Sequence, residues 1–150
     1  MIVVSACLGG IACRYDGNDN LTSKIQTLLQ NEEVTLVCPE VLGGLPTPRP
    51  PAEIVGGNGD DVLDGTAKVI DQTGVDVTET FIQGAYEALE TIKALSPELI
   101  ILKERSPSCG SSTIYTGEFN GSKKDGYGVT TALFRRHGFT VISETEFENM

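Results

Sequence analysis

The four cysteines of this chain are the residues best suited to chemistry. Three of them, Cys7, Cys38 and Cys109, stand at the end of short apolar runs or a few residues beyond them. A thiolate is both a nucleophile and a metal ligand, and no Cys-x-x-Cys pair is present to indicate a zinc ribbon. The cysteines therefore predict either a metal centre or a reactive thiol.

Glycines follow these three cysteines closely, and glycine lets backbone N–H groups approach sulfur or an anion. They are Gly9, Gly10, Gly43, Gly44 and Gly110. A buried cysteine can also pack simply as a small apolar side chain, but three cysteines in polar, glycine-bearing loops favour a site. Cys13 lies in the loop IACRYDG and could be a fourth ligand, a redox partner or an inert filler of space.

The elements that must position these cysteines can be read from hydrophobic patterns. Four continuous, mostly β-branched apolar runs predict strands buried on both faces, at residues 2–6, 34–38, 99–103 and 139–143. Helical periodicity predicts helices over 20–30, 76–95 and 128–137. In the second helix, Asp76 and Glu79 predict a capping box.

Strands that alternate with helices predict an α/β fold. We expect one domain over 1–150, three-layered and Rossmann-like, with a mainly parallel sheet of about four strands. The segment 52–72 has glycine-rich turns and predicts a small hairpin outside the main sheet that could cover the site. In a parallel sheet all carboxyl ends lie on one edge, where open α/β sheets bind ligands. Cys7, Cys38 and Cys109 are therefore expected to meet there.

The overall composition restricts the class of partner. The formal net charge is −10 with no basic stripe, and nucleic-acid affinity comes largely from lysine and arginine contacts with phosphates. A small-molecule substrate is expected, and no nucleic acid. The sequence predicts neither a signal peptide nor a membrane span, which favours the cytoplasm, where cysteines rarely form disulfides. A chain of 16.0 kDa could also form a homodimer.

Four segments of the sequence together resemble the thiouracil desulfidase family. They are VSACLGGIACRYDGNDN, CPEVLGGLPTPRPPAEI, LKERSPSCGSSTIYTGEFNG and DGYGVTTALFRRHGFTVISE, and they run nearly from end to end. The resemblance implies an oxygen-sensitive 4Fe–4S cluster held by Cys7, Cys38 and Cys109, with one iron left open for the sulfur of the substrate. It also implies that Cys13 is not a ligand.

The implied reaction replaces the C=S of a thiolated pyrimidine, such as 2-thiouracil, by C=O without net electron transfer. Water then needs a general base, and Glu40 is the candidate because it follows Cys38 by two residues. Ser106 is the candidate proton relay, slightly preferred to Ser108. The candidates for substrate binding are Arg14, Asp16, Arg49 and Ser108.

Other functions remain open from the residues alone. Three thiolates also suit zinc with an open position, and one reactive cysteine would make a thiol-dependent hydrolase or persulfide carrier. A small-molecule binding module without turnover is the third alternative. Colour distinguishes iron from zinc, dependence on three cysteines distinguishes a cluster from a thiol enzyme, and sulfide release distinguishes an enzyme from a binding module.

Overall fold

A computed structural model describes residues 1–10, 15–17, 21–31 and 33–150 of the chain. Its strands, in chain order, are β1 (Ile2–Ser5), β2 (Val34–Val37), β3 (Ala52–Val55), β4 (Lys68–Asp71), β5 (Leu99–Leu102), β6 (Thr113–Tyr115), β7 (Lys123–Asp125) and β8 (Val141–Ser143). Its helices are α1 (Ser23–Asn31), α2 (Pro39–Leu42), α3 (Gly59–Leu63), α4 (Thr78–Leu95), α5 (Val129–Arg136) and α6 (Glu144–Glu148).

The central sheet consists of the four strands that the apolar runs predict. Its order is β2-β1-β5-β8 and every pairing is parallel. The chain crosses from β2 at one edge to β5 on the other side of β1, so β1 and β5 flank the point where the strand order reverses. Ligands bind at such a switch point in open α/β sheets.

Helices cover both faces of this sheet, which confirms the three-layer prediction. On one face, Val3, Ile100 and Leu102 pack with apolar residues of α4 and α5. On the other face, Val4 and Ile101 pack with apolar residues of α1 and with Phe147 of α6. Alternate residues of each strand thus enter two separate cores, which is why these strands are apolar throughout.

The predicted excursion at 52–72 is an antiparallel pair of β3 and β4. Helix α3, which the sequence reading did not predict, lies between them and begins with a capping box formed by Asn58 and Asp61. A second antiparallel pair, β6 with β7, was also missed. Its strands are three residues long, and β7 consists of lysine and aspartate, so the pair lacks the longer apolar pattern that identifies a strand.

The capping box predicted for the long helix is wrong. Helix α4 begins at Thr78, and its N-cap residue Val77 makes no side-chain cap. Asp76 instead accepts a hydrogen bond at 2.9 Å from the N–H of Thr78. The predicted capping box would require the N–H of Glu79, one residue later. The C-terminal stops agree with prediction, since Ser96 ends α4 in a left-handed conformation and Gly138 follows α5 with φ of +84°. No helix in the described ranges is long and apolar enough to cross a membrane.

Candidate functional site

A cavity of about 420 Å³ opens at the carboxyl edge of the central sheet. Six of the predicted site residues line it: Cys7, Cys38, Glu40, Arg49, Ser106 and Cys109. They come from the segments that follow β1, β2 and β5, as the parallel arrangement requires. The three cysteines therefore line one cavity.

Cys7 and Cys38 are held close to the ends of their strands. Pairing continues past β1 through the Ala6 N–H, which donates to the Val37 carbonyl at 2.7 Å, and a tight turn follows at Cys7. Cys38 is the N-cap residue of α2, and Pro39 starts that helix at once. A Cβ on Gly84 of α4 would overlap the Pro39 carbonyl, so glycine there allows α2 to lie directly on α4.

Cys109 needs a longer loop, and its backbone is held from two directions. The Ser106 hydroxyl oxygen accepts hydrogen bonds from the N–H groups of Ser108 and Cys109, both at 3.0 Å. From behind, the first N–H groups of α5 donate to the Pro107 and Ser108 carbonyls at 2.8 Å. A Cβ on Gly128 would overlap the Ser108 carbonyl, so glycine is required for this approach.

The thiols and one carboxyl group influence one another electrostatically. Burial raises the pKa of the Cys109 thiol, and the negative charges of Glu40, Cys38 and Cys7 raise it further. Burial also raises the pKa of Glu40, against the lowering effect of the Arg49 guanidinium. The Arg49 Nη2 atom lies 3.5 Å from the Glu40 carboxylate, and the Arg49 side chain is only 4% exposed. A bound cation would relieve this accumulation of negative charge.

The donor set fits an iron–sulfur cluster better than a single ion. Within the described ranges, no three His, Cys, Asp or Glu side chains lie close enough to share one metal ion. Tetrahedral zinc would hold its thiolates about 3.8 Å apart, given Zn–S bonds of about 2.3 Å. A four-iron cluster takes each thiolate on a different iron and so requires wider spacing. Three thiols that line one cavity but do not lie close enough to share a single ion are suitable ligands for this cluster.

Of the predicted substrate-binding residues that the structure describes, Arg49 lines the cavity, and Ser108 and Asp16 do not. Arg49 lines the cavity, but its Nη1 atom donates to the Pro46 carbonyl and to the Thr47 hydroxyl, both at 3.1 Å. Ser108 is buried behind Cys109, where its hydroxyl lies 2.7 Å from that of Thr130, and it is not part of the cavity wall. Asp16 is exposed and does not line the cavity. Arg14, like Cys13, lies outside the described residues.

Sequence reasoning missed several residues of the cavity wall: Glu53, Lys103, Glu104, Arg105 and Tyr115. For Lys103 and Glu104 a signal was available, because they directly follow the run LIIL just as Cys7 follows its own strand. Tyr115 belongs to β6, and its position could not be found without that strand. Arg105 has a left-handed backbone, with φ of 71°, which nothing in its local sequence indicates.

Comparison with known proteins agrees with the fold. A family model described as 2-thiouracil desulfurase matches residues 2–146. The protein YbbK of Bacillus subtilis (strain 168), described as uncharacterized, is 51% identical over 150 residues, which is 100% of this chain and 99% of that protein.

A solved structure, described as the 4Fe–4S-dependent thiouracil desulfidase TudS, has the same fold with a TM-score of 0.85. It is 44% identical, and the match covers 99% of this chain and 93% of that chain. The three-layer α/β prediction is thereby confirmed, as is the resemblance drawn from the four segments. This chain belongs to the 2-thiouracil desulfurase family.

Proposed function

We propose that this chain is a 4Fe–4S-dependent desulfidase that converts the C=S of a thiolated pyrimidine, such as 2-thiouracil, to C=O and releases hydrosulfide. Three thiols and a buried carboxyl group around a single cavity carry the proposal. Family membership and the named activity of TudS support it. We take 1–150 as one catalytic domain that acts on a small molecule in the cytoplasm, and a homodimer stays a prediction.

In this proposal Cys7, Cys38 and Cys109 hold the cluster. When bound, a cluster with one iron free of protein ligands supplies a soft Lewis acid, which prefers sulfur and polarises the thiocarbonyl carbon. Water adds to that carbon and the C–S bond breaks, so that C=S and H₂O become C=O and HS⁻ with one proton. No electron enters or leaves, and no reductase is required.

Glu40 is the proposed acceptor of the proton that the attacking water loses. Its carboxyl group lies at the cavity, burial raises its pKa, and the Arg49 guanidinium opposes that rise. A general base works best when its pKa lies near the working pH, and burial moves a glutamate in that direction. Arg49 would thus hold Glu40 in place and limit the rise of its pKa.

Ser106 is the proposed donor to the substrate. Its hydroxyl oxygen already accepts two backbone N–H groups, which occupies both lone pairs. The O–H group therefore acts as a donor, suited to a ring nitrogen or carbonyl oxygen of the pyrimidine. Ser106 would relay a proton toward the substrate rather than take one from water.

Anaerobic purification, reconstitution with iron and sulfide, and incubation with 2-thiouracil test the proposal. The expected result is a brown protein that forms uracil and hydrosulfide in equal amounts. Cys7→Ser, Cys38→Ser and Cys109→Ser should each lose the visible chromophore and the activity, whereas Cys13→Ser should keep both. A colourless active protein, activity that depends on only one cysteine, or saturable binding without uracil would contradict the proposal.

A further inference from the structure

Glu104 is a buried carboxylate at the cavity that the proposed reaction does not use. It follows β5 directly and is 7% exposed. Its Oε1 atom accepts hydrogen bonds from three successive N–H groups, those of Ser111 at 2.8 Å, Ser112 at 3.0 Å and Thr113 at 3.0 Å. A longer contact of 3.4 Å joins the same oxygen to the Arg105 N–H.

The second carboxylate oxygen is engaged by side chains of the same segment. Oε2 accepts from the Ser111 hydroxyl at 3.2 Å and from the Ser112 hydroxyl at 2.8 Å. An ionised carboxylate only accepts hydrogen bonds and offers about four lone-pair sites, which these donors fill. Although burial opposes ionisation, the hydrogen bonds from Ser112, Thr113 and Ser111 lower the pKa of Glu104.

Glu104 is itself anchored to the sheet edge. Its N–H donates to the Glu144 carboxylate at 2.7 Å, and its carbonyl accepts from the Lys103 ammonium at 2.9 Å. Lys103 in turn donates its N–H to the Ser5 hydroxyl at 2.9 Å, next to the segment that carries Cys7. The carboxylate therefore links residues 111–113 to a part of the molecule that strands β1, β5 and β8 hold rigid.

Cys109 lies inside the loop that this carboxylate closes. The loop runs from Arg105, just past β5, to Thr113 at the start of β6, where the Arg105 N–H donates to the Thr113 carbonyl at 3.1 Å. Ser106 orders the residues before Cys109, and Glu104 orders those after it. Without Glu104, residues 111–113 would lose these hydrogen bonds, and the orientation of the Cys109 thiol would no longer be fixed.

We propose that Glu104 is the positioning residue that keeps the Cys109 thiol aimed at the point it shares with Cys7 and Cys38. This inference rests on the proposed function, because that point matters only if a cluster occupies it. Glu104 would touch neither the substrate nor iron and would act through the backbone of 111–113. Groups that orient metal ligands in this way commonly contribute about 10- to 100-fold to metal affinity.

Asp71 offers a matched control elsewhere in the chain. Its Oδ1 atom accepts from the Thr73 N–H at 2.9 Å, the Thr73 hydroxyl at 2.6 Å and the Val75 N–H at 3.0 Å. It is 8% exposed and orders the turn after β4, but it is not part of the cavity wall. Asp71→Ala thus removes a similar carboxylate from a loop that carries no cysteine.

The experiment compares wild type, Glu104→Ala, Glu104→Gln and Asp71→Ala. In the protein without cluster, amide hydrogen exchange at 111–113 should accelerate by about tenfold or more in Glu104→Ala and stay unchanged in Asp71→Ala. After anaerobic reconstitution, the rate at which a chelator removes iron should rise about tenfold or more in Glu104→Ala. Both rates in Glu104→Gln should lie between those of wild type and Glu104→Ala, because the amide oxygen still accepts hydrogen bonds from N–H groups but carries no charge.

Several outcomes would overturn the inference. One is an iron-loss rate in Glu104→Ala equal to that of Asp71→Ala, and another is unchanged exchange at 111–113. If Glu104→Ala does not fold, Glu104→Gln decides in the same way: faster exchange with faster iron loss supports the role, and faster exchange with wild-type iron retention refutes it. A wild-type chain that binds no cluster overturns the proposed function instead. The exchange rates would still show whether Glu104 protects the N–H groups of residues 111–113.

Discussion

The segment after β2 and the segment after β5 each bring one cysteine and one glutamate to the cavity, but the two glutamates are held in opposite ways. Glu40 pairs with the Arg49 guanidinium at 3.5 Å, and burial raises its pKa. Glu104 accepts hydrogen bonds from residues 111–113 on both oxygens, and its pKa is lowered despite burial.

The difference shows how two glutamates at one sheet edge can take different tasks. A carboxyl group with a raised pKa and few hydrogen bonds can exchange a proton, whereas one saturated by donors stays ionised and serves as a structural acceptor. The segment after β2 is short and turns directly into α2, so its geometry needs no such acceptor. The loop after β5 is longer, and the hydrogen bonds to Glu104 fix its backbone, as helix α2 fixes the backbone that follows Cys38.

The largest effect should come from Glu40→Gln. If Glu40 takes the proton from water, its loss should reduce the turnover of 2-thiouracil by about 10²- to 10⁴-fold. The free energy of unfolding should fall as well, because the Arg49 side chain, only 4% exposed, loses the Glu40 carboxylate. Uracil formation and thermal unfolding measure the two quantities, with iron content as the control. Activity within about twofold of wild type would contradict the proposed role.

A smaller effect distinguishes Glu104 through pH. Because its folded-state pKa is lowered, its contribution to stability is fully present above the ordinary glutamate pKa of about 4.3 and is lost as pH falls through the folded value. Glu104→Gln should therefore flatten the acid side of the stability profile by up to about 1.4 kcal/mol per pH unit. Denaturant unfolding of the cluster-free protein between neutral pH and pH 3 or so measures this.

The comparison with Glu40 supplies the control for that measurement. Glu40→Gln should not flatten the acid side of the profile, because burial moves the pKa of Glu40 in the other direction. If Glu104→Gln and wild type lose stability with the same slope in acid, the hydrogen bonds to 111–113 do not stabilise the ionised carboxylate.

The smallest effect concerns Ser108, which lies in the same loop but behind the cavity. Ser108→Ala removes a buried hydroxyl contact with Thr130 and should reduce the free energy of unfolding by about 1 kcal/mol. The KM for 2-thiouracil should not change, because the side chain is not part of the cavity wall. A large rise in KM with unchanged stability would instead indicate that Ser108 contacts the substrate. Ser106→Ala is the matched comparison, because Ser106 lines the cavity.

Much of this architecture could be predicted because it depends on local patterns. The four central strands are apolar throughout, and a continuous apolar run is visible without any knowledge of its neighbours. The position of Cys7, Cys38 and Cys109 at one edge then follows from the common direction of parallel strands. The β6–β7 pair and the Glu104 contacts had no comparable pattern, since these strands are only three residues long and the contacts are hydrogen bonds between polar groups.

The sequence by itself determined which residue types stand at the ends of the central strands, and so which three thiols, together with Glu40, share the cavity. The tertiary structure alone decided what each of them does there. Glu40 and Glu104 have the same side chain, and only folding places one beside a buried guanidinium and the other against residues 111–113. The sequence does not indicate how the loops between these partners fold, and the burial and hydrogen bonding that result set the proton affinity of each carboxyl group.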